Sequence, residues 1–328
     1  MSATPATRRQ FLQRSVSLGV TAALARQGGA RAQSAGADPA GGFVRLGGPL
    51  DAGSEDPERI AAAHREAGYR AAYCPNVPLD DAARIRAVRD AFARRDVVLA
   101  EVGRWVNLLD ADPEKRRANL TLVTEGLALA EELGARCCVD IAGSYNPDVW
   151  FGPHPDNLSD RFFDAAVQNA RAIIDGVNPK RARFCYEMMG WALPDSPDSY
   201  VRLIKAVDRD AFGVHLDPCN LINSPARFYR NRELLEECFD KLAPWIASCH
   251  AKDLTWDIEM NVHFREVRPG TGALDYTTFL RRLAAVPGQP PLMLEHLSGA
   301  EEYDAARRYL LELGPSIGVR FAPEPAAS

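Results

Sequence analysis

Arg183-Phe184-Cys185-Tyr186-Glu187 is a short apolar run that ends in an acid, and Gly213-Val214-His215-Leu216-Asp217 repeats the form further along. Between them, Pro197–Val207 carries apolar residues at helical spacing. A strand, an amphipathic helix and a second strand form a crossover unit, which lays the two strands parallel in one sheet. Near-continuous apolar strands belong to sheets covered on both faces. Each of these two runs also stops on a carboxylate, where a parallel sheet places its ligand-binding loops.

The same alternation extends in both directions. Further strands are predicted at Phe43–Leu46, Ala71–Cys74, Val97–Val102, Cys137–Ile141, Ile246–His250 and Leu292–Glu295. Helices are predicted at Pro57–Ala67, Asp80–Arg94, Pro113–Leu133, Asp160–Gly176, Arg232–Ala243, Tyr276–Ala285 and Glu301–Leu313. Eight βα units between residues 42 and 316 match a single α/β domain, the (β/α)8 TIM barrel, which typically takes about 250 residues. The competing doubly wound sheet would carry a Gly-rich phosphate turn after its first strand, and Arg45-Leu46-Gly47-Gly48-Pro49 is not that motif. The longest irregular stretches, Ala142–Ser159 and Leu254–Ala273, both follow predicted strands, where barrel enzymes build their catalytic face.

The chain has 328 residues, 46% hydrophobic and 25% charged, with a net charge of -5. Its acidic pI of about 5.8 argues against a nucleic-acid partner, which would call for a basic surface. Thr7-Arg8-Arg9-Gln10-Phe11-Leu12, followed by the apolar stretch Val16–Ala25 and the small residues Ala30-Arg31-Ala32, reads as a twin-arginine signal over 1–32. The apolar stretch is too short for a membrane-spanning helix, so no stable anchor is expected once the signal is removed. A periplasmic or secreted location follows, with a linker at 33–41 and a C-terminal tail at 317–328. The seven cysteines are odd in number and lack a Cys-x-x-Cys motif, so free thiols are expected.

The late strands end alike. Tyr186-Glu187, Leu216-Asp217, Cys249-His250 and Leu294-Glu295 each finish an apolar run with a group that binds metals. Adjacent barrel strands bring Glu187, Asp217, His250 and Glu295 together above the barrel axis. Clustered carboxylates repel one another unless a cation sits among them. One divalent ion is expected, manganese first, with magnesium, cobalt, iron or zinc compatible with the oxygen-rich set.

The segments around Glu187, His215-Leu216-Asp217, His250-Ala251-Lys252-Asp253, Pro269-Gly270-Thr271-Gly272-Ala273-Leu274-Asp275-Tyr276 and Leu294-Glu295-His296 resemble the xylose-isomerase-like TIM barrel superfamily. That group includes sugar isomerases and epimerases, inosose dehydratases and endonuclease IV. The resemblance covers the barrel region and is strongest from Glu187 onward. It implies that Glu187, Asp217, His250 and Glu295 hold the ion and that Glu187 and Glu295 also move the proton. It further implies a carbohydrate substrate and a homodimer or homotetramer. The epimerase-like branch often has His three residues after the Asp ligand; Asn220 stands there instead, able to hydrogen-bond a hydroxyl but not to carry a proton near neutral pH.

Such a site would enolise a keto-sugar through a metal-stabilised enediolate. Reprotonation gives isomerisation or epimerisation, whereas loss of a β substituent makes the enzyme a lyase, either a dehydratase or a 3-keto-glycoside deglycosylase. An endonuclease IV-type phosphodiesterase would need more than the six His present and a basic groove. An inactive sugar-binding barrel would be expected to lack Glu187 or Glu295. Candidate substrate contacts are His215, Asn220, Lys252, His263, Arg268 and Trp150, with Phe151 and His154 beside the last. Lys252 would stabilise an oxyanion or pair with Asp253, and His215 would touch substrate or support a ligand. The forked guanidinium of Arg268 would clamp paired oxygens. His64, on a helix, is expected in solvent, and His296 is expected to orient or pack beside Glu295.

Overall fold

A computed structural model describes residues 42–322. The expected signal segment 1–32 and linker 33–41 lie outside the described residues, as does the end of the expected tail. The strands are β1 (Phe43–Val44), β2 (Leu46–Gly47), β3 (Ala71–Ala72), β4 (Val98–Leu99), β5 (Glu101–Gly103), β6 (Cys137–Asp140), β7 (Arg183–Glu187), β8 (Phe212–Leu216), β9 (Ile246–Ala251), β10 (Asp253–Trp256), β11 (Phe264–Val267), β12 (Leu292–Leu294) and β13 (Arg320–Phe321). The α-helices are α1 (Pro57–Glu66), α2 (Ala82–Arg94), α3 (Pro113–Leu133), α4 (Asp160–Val177), α5 (Pro197–Val207), α6 (Pro225–Tyr229), α7 (Asn231–Leu242), α8 (Tyr276–Ala284) and α9 (Gly299–Ser316).

Local sequence sets the helix starts. Asp56, Asp112 and Ser196 each cap a helix whose first residue is proline: the cap side chain accepts a free backbone N–H, and the ring pre-sets φ. Helix α3 ends on Gly134 at φ 72°, the left-handed conformation that glycine adopts without strain.

Nine strands form one sheet in the order β4-β3-β2-β12-β9-β8-β7-β6-β5, parallel throughout. Its two ends, β4 and β5, are halves of one segment separated by Ala100. The Ala100 N–H donates to Ala72 O at 2.8 Å, and its carbonyl accepts from Cys137 N at 3.2 Å. The ring therefore closes through Ala100, and eight strand positions make the expected TIM barrel. The predicted strand Val97–Val102 is one barrel stave that changes partner midway.

The late staves are the most enclosed. Every residue of β8 and β9 is buried, including His215, Ser248 and His250. Tyr200 of α5 bridges β7 and β8, its hydroxyl 2.6 Å from Tyr186 O and 2.8 Å from Gly213 O. All seven cysteines are free thiols, six of them buried, in keeping with small apolar fillers. His64 is buried, not in solvent as its helical position suggested. Its Nδ1 lies 2.9 Å from Ile60 O, and the Tyr69 and Phe92 rings pack beside it. Two small pairings lie outside the barrel: β1 with β13, and the antiparallel hairpin β10–β11 within the long loop after β9. No helix among the described residues is long and apolar enough to cross a membrane.

Candidate metal centre and cavity

Parallel register sets the height of each polar side chain. Glu187 closes β7 opposite His215, Asp217 follows β8, His250 lies in β9 opposite Met293, and Glu295 follows β12. One ligand atom from each of Glu187, Asp217, His250 and Glu295 falls within 4.8 Å of the others. His250 Nδ1 is 3.1 Å from Glu187 Oε1, 3.0 Å from Glu295 Oε2 and 3.6 Å from Asp217 Oδ2.

Three carboxylates around one imidazole leave a surplus of negative charge. Lys252 meets part of it, its Nζ 2.8 Å from Asp217 Oδ2 and 3.5 Å from Glu295 Oε2. Even so, Asp217 Oδ2 and Glu295 Oε2 are buried and accept no aligned hydrogen bond. Buried acceptors without donors are uncommon and call for an explanation. The set fits a divalent cation: the two oxygens, the Glu187 carboxylate and His250 Nδ1 converge on one point, and their chemistry suits a hard or borderline ion.

The protonation tendencies follow from these neighbours. Burial raises the Glu187 carboxyl above its ordinary range despite the nearby His250. Burial would do the same to Glu295, but its contact with His250 and the charge of Lys252 hold it below that range. Burial would depress both His250 and Lys252; the surrounding acids instead raise each well above its usual value.

Beneath His250 lies a second polar layer that the strand-end pattern did not flag. Glu101, fully buried in β5, places Oε1 3.2 Å from His250 Nε2 and Oε2 2.9 Å from His215 Nε2; Ser248 Oγ donates to the latter oxygen at 2.7 Å. Burial would raise its carboxyl, but the two imidazoles outweigh that and hold it far below the usual range. Glu101 thus fixes the face that His250 turns upward, since the nitrogen opposite the ligand atom is occupied. The signal was an acid inside the apolar run Val97–Val102, just after the break at Ala100. Asp140 is a second buried acid that ends a stave: its Oδ1 accepts Val106 N and Ile141 N, and burial raises its carboxyl strongly.

The other expected contacts divide. Asn220 lines the cavity and also orients a ligand: its Nδ2 donates to Glu187 Oε1 at 3.1 Å, and its Oδ1 accepts from Lys252 at 3.0 Å. Lys252 does not pair with Asp253; it reaches Asp217 and, at 3.2 Å, Glu266. Asp253 instead accepts the backbone N–H groups of Leu254, Gly270, Gly272 and Leu274 at 2.8–3.0 Å, pinning the Pro269-Gly270-Thr271-Gly272 turn. Gly270 sits at φ 90°, and a Cβ on Gly272 would strike the Asp253 carboxylate, so the turn requires both glycines. His215 is no substrate contact: it is fully buried under His250 with its ring turned to Glu101. Arg268 is no clamp either, because its Nε is engaged by Glu302 of α9 at 3.1 Å and the side chain does not line the cavity. His263 and Trp150 do line it, Trp150 in an edge-to-face pair with Phe151. His154 caps the turn at Pro155–Leu158. His296 lies at φ 56°, its Nδ1 2.8 Å from Glu266 Oε2.

Above the four ligands opens a cavity of about 830 Å³, lined by Glu187, Asn220, Lys252, Glu266, Glu295 and His296 together with Trp105, Trp150, Phe151, Trp191, Val262 and Phe264. A buried acid–imidazole cluster under a cavity at the carboxyl ends of the strands is the position at which barrels of this fold carry active sites.

Residues 61–313 match the family model described as a xylose isomerase-like TIM barrel, and the chain belongs to that family. Among solved structures, it is similar to a xylose isomerase-like TIM barrel protein from Mycobacterium smegmatis in complex with magnesium. That pair shares 18% identity and a TM-score of 0.59, covering 86% of this chain and 99% of that one. It is also similar to 3-keto-D-glucoside 4-epimerase from E. coli, at 14% identity, TM-score 0.60, and 82% and 99% coverage. A probable 3-DHS dehydratase from Bacillus anthracis follows, at 14% identity, TM-score 0.57, and 77% and 92% coverage. No curated protein matches in sequence.

Proposed function

We propose that the chain is a divalent-metal-dependent sugar isomerase or epimerase that moves a proton on the carbon beside a keto group. The observation that carries this reading is the pairing of Glu187 and Glu295. Both carboxylates border the same cavity and approach the same nitrogen of His250 within 3.1 Å, so a substrate carbon held over the cluster has two groups within reach that can take and return a proton.

Glu187, Asp217, His250 and Glu295 would hold the ion, which when bound would polarise the substrate carbonyl as a Lewis acid. One glutamate takes the proton from the carbon and the other returns one. Asn220 holds the Glu187 carboxylate in position by donating to Oε1, and Lys252, 2.8 Å from Asp217 Oδ2 in the cavity lining, would offset negative charge developing on a substrate oxygen there. Manganese fits the donor set, and a family neighbour was solved with magnesium. Epimerases and a probable dehydratase among the structural neighbours support an enolising first step and keep a lyase as the second reading. The N-terminal twin-arginine pattern supports export and an unphosphorylated substrate.

The test is incubation of the manganese-loaded protein with ketohexoses and keto-glucosides in deuterated water, read by NMR. Deuterium at an inverted or neighbouring carbon is expected; release of water or an aglycone would favour the lyase. Absence of exchange in metal-loaded protein across the panel would overturn the proposal.

A further inference from the structure

The cavity is larger and more apolar than its floor requires. The ligand-bearing acids, Asn220 and Lys252 occupy its buried end, with Trp105 near the ring of His250 at 6.3 Å. Its mouth is walled by Phe151, Trp191 and Val262, which are 43%, 59% and 59% exposed, together with Trp150 and Phe264. These side chains come from three separate segments: the loop after β6, the loop after β7 and the β10–β11 hairpin. Isolated exposed apolar residues need no explanation, but aromatics converging from three loops on one opening mark a binding surface. Phe264 is also held in place, stacked on Phe228 with centroids 5.0 Å apart and planes 9° from parallel.

Polar side chains at that end are few and partly engaged: Asn223, the indole N–H groups of Trp150 and Trp191, and His263, which is already within 3.2 Å of Asp257, while Glu266 and His296 pair with each other toward the floor. A second sugar ring would need partners for several hydroxyls, whereas a flat apolar group needs only faces to stack on. A volume of about 830 Å³ is that of pockets which enclose drug-sized molecules, well beyond one hexose.

We infer that the mouth of the cavity is a subsite for an aromatic or similarly flat apolar substituent, so that the sugar is accepted as a glycoside of an aromatic alcohol. The inference rests on the sugar reading of the same site. It makes Trp191, Phe151 and Trp150 selectivity residues, remote from the proton-moving glutamates.

Binding separates the two ideas. The manganese-loaded full chain is titrated calorimetrically with phenyl, methyl and cellobiosyl forms of D-glucose, namely both anomers of phenyl and methyl glucoside, and cellobiose. Phenol alone is a fourth probe. The phenyl glucoside is expected to bind at least tenfold more tightly than methyl glucoside or cellobiose, and the ratio should fall toward one in W191A and in F151A. Both side chains lie outside the buried core, so truncation should leave the fold intact, and a thermal melt checks this. Equal affinities for phenyl and methyl glucoside overturn the subsite while leaving the sugar reading standing. A preference for cellobiose overturns it in favour of a second sugar ring. Binding of phenol and phenyl glucoside without methyl glucoside, lost in W191A, supports the subsite alone. Failure of all probes to bind overturns the subsite, and because none of them carries a ketone, the keto-sugar reading stands or falls on the exchange experiment.

Discussion

Replacing Glu101 with Gln tests whether the buried layer under His250 prepares the metal centre. The substitution preserves volume and one acceptor oxygen but removes the charge that faces both imidazoles. In the protein, Glu101 Oε1 stands 3.2 Å from His250 Nε2, while Oε2 serves His215 and Ser248. A hydrogen bond to a charged group contributes about 1.5–3 kcal/mol, and the ligand imidazole loses that much of its electron-donating support. At 1.4 kcal/mol per decade, affinity should fall by about 10- to 100-fold, the range seen when such supporting acids are removed from metal sites. The assay is calorimetric titration of manganese into apoprotein at pH 8, where protons compete least for His250. Thermal melts of both apoproteins establish that the barrel is intact. Affinity within about twofold of the parent would refute the reasoning, because Glu101 would then be a structural acid with no hold on the ligand.

Four shorter predictions follow from the same geometry. Glu295→Gln should slow solvent deuterium exchange into substrate by at least about 100-fold, the usual contribution of a positioned acid or base, and exchange at the parent rate would remove its assigned role. Asp253→Ala leaves four backbone N–H groups without their acceptor and should destabilise the protein by about 3 kcal/mol in denaturant unfolding; a loss below about 1 kcal/mol would show that water replaces the carboxylate. His64 is depressed by burial, partly offset by its bond to Ile60 O, so the unfolded chain takes up its proton more readily. Its contribution to stability is complete above the ordinary value of 6.5 and is lost as pH falls below it, so His64→Phe should flatten the fall in melting temperature between pH 6.5 and 5, and an unchanged slope would refute this. Arg268→Ala should leave exchange kinetics within about twofold, since its partner is Glu302 and such half-exposed pairs contribute at most about 1 kcal/mol; a large rise in KM would return it to the site.

The late half of the barrel was legible because its staves are long and wholly buried. Continuous apolar runs at Phe212–Leu216 and Ile246–Ala251 leave their polar ends conspicuous, so the four ligands stood out. The early half was less so. Its staves are two residues long at Leu46–Gly47 and Ala71–Ala72, and the partner change at Ala100 has no signature in periodicity because alanine suits either neighbour. Glu101 carries no strand-end signal, because it lies in mid-stave just after Ala100. The β10–β11 hairpin lies hidden in Leu254 to Arg265, where apolar and polar residues alternate without a break and no Gly or Pro marks the turn that divides the two strands. Arg268 and His64 share a reason: Glu302 on α9 and Phe92 on α2 reach them from distant parts of the chain.

The knot at Asp253 has a consequence for how such a barrel can change. It fastens both feet of the loop that leaves the ligand-bearing β9: the start at Leu254 and the return at Gly270 to Leu274. Between those feet the β10–β11 ladder, the Phe264–Phe228 stack and the return of Glu266 to Lys252 hold the strands, leaving only the tip without such ties. The turn from Asp257 to His263 is therefore a replaceable cassette. Its length and chemistry can drift, altering what the mouth of the cavity admits, while the acid–imidazole floor keeps its shape. New substrates can be tried at the rim of this barrel without redesigning its chemistry.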